Sequence, residues 1–222
     1  MAISSILENN CLPSKICIVI STYDKDNVPS LFKEHPLIEI IYTEVDLKSH
    51  NKYYHTALKY PNAVIITIDD DVIYPKTFIE DCIKAYEDSP TTVNAGRVHK
   101  IKYNDKGILP YKQWEWESKD IETSYDLFFT GVGGVVYPPN FFKEEDLNIN
   151  EIQKYIKVDD IFLNYLCRKQ RIKVKRFETP HYKDINILPF KIKLCNTNVL
   201  YNNDRCLNLI EFNTILNICK NE

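Results

Sequence analysis

Residues 63–75, AVIITIDDDVIYP, carry a β-branched run straight into three consecutive aspartates. The run AVIITI is short and almost wholly apolar, as expected of a strand in the middle of a covered sheet. Two similar runs precede it. KICIVIST (15–22) stops at the polar, proline-containing break YDKDNVP, and LIEIIYTEV (37–45) reads as a second strand. NKYYHTALKYP (51–61) has helical character and a proline stop. PKTFIEDCIKAYEDSP (75–90) reads as a helix, with Pro75 suited to its first turn and Phe78, Cys82, Ile83 and Tyr86 as its apolar stripe. Strands alternating with helices predict an α/β layer fold whose strands are mainly parallel.

The chain's 222 residues suffice for one domain with a substantial core. Five glycines and eleven prolines, with 44% hydrophobic residues, exclude a fibrous or disordered chain. Seven scattered cysteines without a C-x-x-C pair fit reduced thiols better than a disulfide framework or a zinc site. The N-terminus lacks the basic start and apolar core of a signal peptide, and no apolar run approaches the roughly 20 residues of a bilayer span. A cytoplasmic location is therefore expected. Charge is unevenly spread: residues 1–165 carry 17 basic and 26 acidic residues, residues 166–222 carry 11 and 5. Six basic residues crowd positions 168–176, which leaves open a peripheral contact with anionic lipid, against a plain solvated helix end and strand face.

Three adjacent aspartates repel one another, and none has a basic neighbour in sequence. In open α/β sheets ligands bind outside the carboxyl ends of parallel strands, where Asp69, Asp70 and Asp71 are expected. Asp69 and Asp71 project to the same side if the backbone stays extended. Two such carboxylates make a hard-oxygen site for Mg²⁺ or Mn²⁺, ions that take few protein groups together with substrate phosphates. The competing reading is an acidic turn that favours the N-terminus of the next helix.

Further along, YDLFFTGVGGVVYPPNFF sets a glycine-rich turn between two apolar pieces. VDDIFLNYLCRK holds a helix candidate (159–170), RIKVKRFETPHYK (171–183) opens with strict alternation, and 205–219 reads as a final helix. TVNAGRVHKIKY and QWEWES look like strand or hairpin material. There Trp114 and Trp116 are expected on one side of a strand, as packing or as a platform for an acceptor sugar.

The segment VIITIDDDVIYP resembles the D-x-D segment of glycosyltransferases with the GT-A fold, especially small family 2-like bacterial and viral enzymes. ICIVISTYD, HNKYYHTALKYP, FFTGVGGVVYPPNFF and VDDIFLNYLCRK occur in the order that group shows, so the resemblance covers roughly residues 15–183. The opening Ser21-Thr22-Tyr23-Asp24 departs from the group's commoner P-x-Y/F-N. The resemblance implies a single Rossmann-like GT-A domain over 1–222, with a mixed, mainly parallel sheet flanked by helices. Residues of about 15–100 would bind the nucleotide sugar, and about 101–222 would serve acceptor and catalysis.

It also implies a metal-dependent, inverting transfer from a nucleotide-diphosphate sugar, UDP-linked by preference, to a glycan or lipid-linked acceptor. Thr22, Tyr23, Asp46 and Lys52 are candidates for the nucleotide pocket, with Asp69 and Asp70 beside it and Arg97 near the phosphates. Gly131, Gly133 and Gly134 would allow a sharp turn or close approach to the sugar, a structural hairpin being the alternative. Asp71 and His181 would ligate Mn²⁺ or Mg²⁺, although His181 also reads as a loop residue. Asp160 would be the general base; Asp159 is a good N-cap and Asp160 suits the helix dipole in any case. A nucleotidyltransferase, a sugar-nucleotide hydrolase or a non-catalytic sugar-nucleotide-binding module remain as alternatives. Nucleic acid is not expected as a partner, since stacking aromatics and RNA-binding motifs are absent.

Overall fold

The computed structural model describes residues 2–178 and 203–209. Among these residues ten strands and seven α-helices follow one another: α1 (Ala2–Leu7), β1 (Ile16–Ser21), α2 (Ser30–Glu34), β2 (Ile38–Thr43), α3 (Tyr54–Lys59), β3 (Ile65–Thr67), α4 (Phe78–Asp88), β4 (Val93–Ala95), β5 (Val98–Lys100), β6 (Tyr103–Asn104), β7 (Gly107–Ile108), β8 (Leu127–Phe129), β9 (Val135–Tyr137), α5 (Ile149–Lys154), α6 (Asp159–Lys169), β10 (Val174–Arg176) and α7 (Asn203–Leu209). All of the expected strands up to β3 and the helices α4 and α6 are present. The helix α1 had no signal in the sequence pattern.

β1 and β2 pair in parallel, Ile16 facing Ile38. A second sheet has the order β10-β4-β9-β3. Here β4 and β10 are parallel, and β9 runs antiparallel to both of its neighbours. Three of its four strands thus point the same way, the mixed and mainly parallel arrangement expected. Side-chain alternation then splits the core into two layers. Val135 and Tyr137 of β9 join the larger cluster, with Ile65, Phe128, Phe129, Ile161, Phe162 and Leu166. Val136 joins the other, with Ile16, Ile38, Phe78, Ile79 and Cys82. Each fully buried aromatic contributes on the order of 2–3 kcal/mol of apolar transfer, so Tyr137, Phe128 and Phe129 anchor the first layer. α4 and α6 thereby cover opposite faces.

Details depart from expectation where local geometry decides. On α4 the buried face is Phe78, Ile79, Cys82 and Ala85, while Ile83 remains 38% exposed. Ile83 lies one position, about 100°, beyond the face centred on Phe78 and Cys82. The tryptophans are not on a strand: a 3₁₀ turn (Tyr111–Gln113) precedes them, and only Glu115 bridges to Lys100. Trp114 turns inward and donates its Nε1–H to the Leu109 carbonyl at 2.8 Å, whereas Trp116 is 42% exposed.

The basic run is largely committed within the fold. Arg168 is buried and donates to the carbonyls of Tyr125 (2.7 Å), Leu127 (2.9 Å) and Asn164 (2.7 Å). Lys169 pairs with Asp146, Lys175 donates to Ser89 Oγ at 2.8 Å, and Arg176 lies 3.6 Å from Glu178. The solvated face read from the sequence is therefore corrected at Arg168, whose donors replace water with backbone acceptors. His181 and the greater part of 205–219 lie outside the described residues.

Candidate active site

The three aspartates follow β3, but the backbone turns at Asp70–Asp71 instead of staying extended. Asp70 faces solvent, while Asp69 and Asp71 are half-buried. The Asp69 N–H donates to the buried Tyr74 hydroxyl at 2.9 Å. Burial, followed by the charge on Asp69, with a smaller contribution from Asp71, raises the Tyr74 phenol far above its usual range. Tyr74 therefore stays neutral between two carboxylates. The N-terminal segment supports this loop and the start of α4: Ser5 Oγ of α1 accepts from the Tyr74 N–H at 3.0 Å, and Asn9 Oδ1, just after α1, from the Ile79 N–H at 2.9 Å.

The other half of the site is the start of α6. Val158 occupies the cap position without a side-chain cap bond, so the N-cap role expected of Asp159 is not used. Asp159 is the first helical residue, and its carboxylate ion-pairs with Lys52 at 2.7 Å. The pull of a buried ammonium outweighs what a cap bond would give. Asp160 Oδ1 accepts from the Gly131 N–H at 3.0 Å. Asp160, Asn164 and Arg168 recur every four residues and so share one face of α6. Asn164 is fully buried; it donates to the Asp160 carbonyl (2.8 Å) and the Phe129 carbonyl (2.8 Å) and accepts from the Phe129 N–H (3.2 Å). A polar ladder thus fixes the Asp160 end of the helix against β8.

Lys52 connects the halves. Its ammonium sits 2.7 Å from Asp159 and 3.4 Å from Asp69. Burial works against the charged amine, yet Asp159, Asp69 and Asp160 together hold it protonated well above the usual lysine range. For Asp159, burial alone would push the carboxyl up, but the charges of Lys52 and His50, with the close contact from Lys52, outweigh it and hold it below the usual range. Among the described residues Asp160 has no such cation of its own. Burial and the Asp159 charge, with a further push from Asp69, raise it to about 7 against the pull of Lys52 and the Gly131 N–H. Two carboxyls in succession are driven apart in this way: one a permanent anion, the other poised near neutrality.

Gly131 is the hinge of this arrangement. A Cβ there would meet Lys52 Nζ at 2.7 Å, Asp69 Oδ1 at 3.4 Å and Asp160 Oδ1 at 3.5 Å, so the glycine keeps open the space between the three charges. Gly133 and Gly134 carry φ of +94° and +82°. Gly134 also underlies Phe78, whose ring a Cβ would meet at 2.4 Å. Both glycines therefore have a backbone reason to be present, in a turn closed by Gly134 N–H to the Gly131 carbonyl at 3.1 Å.

The remaining candidates are spread along the same edge. Thr22 and Tyr23 start a 3₁₀ turn after β1, capped by Ser21, and Tyr23 is 90% exposed. Asp46 follows β2 and accepts from the Lys48 N–H at 2.8 Å, an exposed role in starting the turn that delivers Lys52. Arg97 donates to Thr130 Oγ1 at 3.3 Å and Glu117 Oε1 at 3.1 Å, beside the residue preceding Gly131. The sequence pattern assigns Lys52 to the nucleotide and gives no sign around Lys52 that it pairs with Asp159. Two successive carboxylates at a helix start, only one needed as base, were the available signal for the Lys52–Asp159 pair.

For a metal, the test lies in the donor set. Among the described residues no group of three histidine, cysteine or acidic side chains is placed to hold an ion. Asp69 and Asp71 are two hard-oxygen donors, and Asp71 lies within electrostatic reach of the same tyrosine as Asp69. Two such donors would suit a magnesium-like ion only together with substrate phosphates, not an all-protein cage, and the turn at Asp70–Asp71 removes the extended-strand reason for them to project together.

The chain matches the family model of glycosyl transferase family 2 over residues 2–148. It belongs to that family. The chain is thus a glycosyltransferase with a mixed α/β domain of the GT-A type, and a sugar donor and an acceptor follow as its partners. The matched stretch contains the 69–71 aspartates, Lys52, Arg97 and the glycine turn, and ends before Asp159 and Asp160. No curated protein matches the chain. No helix among the described residues is long and apolar enough to cross a membrane.

Proposed function

We propose that the enzyme moves a sugar from a nucleotide-diphosphate donor, preferably UDP-linked, to an acceptor hydroxyl with inversion, and that Asp160 is the base. The carrying observation is the environment of Asp160: fixed at the start of α6, bonded to the Gly131 N–H at 3.0 Å and poised near neutrality beside Asp69. A base that ionises near the working pH is the most effective at removing a proton in the transition state. As the acceptor oxygen bonds to the anomeric carbon, its proton passes to Asp160. The bond from that carbon to the phosphate oxygen breaks, and the nucleoside diphosphate leaves with the electron pair. One displacement inverts the centre.

Thr22, Tyr23 and Asp46, at the ends of β1 and β2, would border the nucleoside, with Asp70 beside it and Asp69 at its ribose or in the metal's water shell. Arg97 would face the diphosphate, with Gly133 and Gly134 lining the sugar. Asp71 with His181 would hold Mn²⁺ or Mg²⁺, which when bound neutralises charge on the departing diphosphate. Lys52 keeps Asp159 ionised, and that charge helps to raise the Asp160 carboxyl. The glycan or lipid-linked character of the acceptor and a role in surface-polysaccharide synthesis belong to the same reading.

Product analysis tests it. Incubation with the preferred nucleotide sugar and an acceptor should release nucleoside diphosphate and form a glycosidic bond of inverted configuration. Pyrophosphate as the product would instead indicate nucleotidyl transfer; free sugar alone, with acceptors present, would indicate a hydrolase. Either outcome would sink the transfer reading.

A further inference from the structure

Beyond Asp160 the molecule builds a second, aromatic feature that the transfer chemistry leaves unused. Trp116 is 42% exposed, yet the loop that bears it is held on both sides. On one side Glu115 exchanges backbone bonds with Lys100 at 2.8 and 3.0 Å. On the other, Ser118 N–H donates to the Val98 carbonyl at 2.9 Å. Glu117 adopts a left-handed φ of +50°, which a non-glycine residue keeps only when its surroundings enforce it. Its N–H donates to His99 Nδ1 at 3.0 Å, and its carboxylate accepts from Arg97 at 3.1 Å.

The indole rests on buried groups. It lies 4.8 Å from the His99 ring and 5.5 Å from the Tyr111 ring. His99 accepts at Nδ1, so a neutral ring carries its proton on Nε2, and that buried atom finds no hydrogen-bond partner among the described residues. Burial and then Arg97 hold the imidazole neutral. The patch is also close to the reaction centre. Arg97 bonds Thr130, the residue before Gly131, which bonds Asp160. The Tyr111 hydroxyl, raised first by burial, feels the Asp160 charge as well.

We infer that the exposed face of Trp116, backed by His99 and Tyr111 and rimmed by Arg97 and Glu117, seats the pyranose ring of a sugar acceptor for transfer at Asp160. The inference rests on the proposed transfer reaction for its chemistry. A pyranose presents an apolar C–H face that packs on an aromatic plane, and polar edge hydroxyls that need charged or hydrogen-bonding neighbours. A rigid ring with a guanidinium and a carboxylate beside it supplies both. A phosphate or lipid headgroup would find a carboxylate at the rim and an apolar plane, which favours a neutral sugar.

The chain has two tryptophans, so its indole N–H region in a nitrogen–proton correlation spectrum holds two signals. Trp116→Phe identifies which belongs to Trp116. Titration with methyl glycosides of glucose, galactose and N-acetylglucosamine should move the Trp116 signal and leave Trp114 in place. Inorganic phosphate and anionic vesicles should move neither. For a glycoside that is also an acceptor, Trp116→Ala should raise acceptor KM about tenfold, with Trp116→Tyr recovering most of the loss. No shift with any glycoside, or a loss in Trp116→Ala that appears equally in donor binding, overturns the inference. A glycoside-induced shift in an enzyme that makes no glycosidic bond keeps the platform and sinks the transfer reading instead.

Discussion

Lys52 places its ammonium 2.7 Å from Asp159, a residue 107 positions later, and 3.4 Å from Asp69 at the end of β3. This contact answers why acidic side chains accumulate here: part of the missing positive charge is a lysine, delivered by the turn after β2. Among the described residues it leaves Asp160 as the carboxyl without a cation of its own and thereby sets the site's protonation.

Lys52→Met leaves the Asp159 carboxylate buried without its partner. Breaking a buried pair from one side costs about 3–5 kcal/mol, and Lys52 is shielded enough for the lower end of that range to apply. Lys52→Met should therefore lower unfolding free energy in urea by about 3 kcal/mol. Adding Asp159→Asn should restore much of it. If the two losses simply add, the pair is not coupled and the account of Asp159 is wrong.

Asp160→Asn should abolish transfer while leaving donor binding intact, and it should also affect stability with a definite sign. The folded-state pKa of Asp160 is raised, to about 7, so the folded form holds a proton that the unfolded form has lost between about pH 4 and 7. The stability this provides is fully present below the unfolded value and is lost as pH rises through 7. Asn keeps an oxygen for the Gly131 N–H and bears no charge. At pH 8 the variant should then be more stable than the wild type, by on the order of 1 kcal/mol or more, with the gap closing near pH 4. In the wild-type enzyme, single-turnover transfer should rise with pH through about 7 as the base ionises. A flat profile across pH 6–8 would remove Asp160 from that role.

Two glycines of one turn should fail differently. Gly131→Ala puts a methyl 2.7 Å from the flexible end of Lys52, so the fold should survive while turnover falls by about tenfold or more. Gly134→Ala combines a φ of +82° with a clash against the Phe78 ring and should cost about 2 kcal/mol or more of stability. Thermal unfolding beside activity separates them; equal melting temperatures would contradict the assignment.

Much of this architecture was legible in the sequence because it rests on local patterns. The three β-branched runs became β1, β2 and β3, and the helices after Pro75 and at VDD formed where periodicity put them. The acidic loop fell just past a strand's carboxyl end, although that strand pairs with the antiparallel β9. What escaped depends on distant contacts. Nothing around Lys52 announces a partner in α6. Arg168 sits in a basic run that reads as solvated, and only the carbonyls of Tyr125 and Leu127 make it a buried clamp. Trp114 and Trp116 alternate in sequence, but the turn at Tyr111–Gln113 and the left-handed Glu117 take them to different environments.

The central claim, a nucleotide-sugar site at the 69–71 edge with Asp160 as a separate base, is tested most directly by calorimetry. UDP-, GDP-, dTDP- and CMP-sugars would be titrated into wild type, Asp71→Asn and Asp160→Asn, with and without Mn²⁺. The account predicts Mn²⁺-dependent binding of one nucleotide family to wild type, with UDP first, retained in Asp160→Asn and lost in Asp71→Asn. Binding that ignores both the metal and the Asp71→Asn change, or no binding of any donor at millimolar concentration, would contradict it.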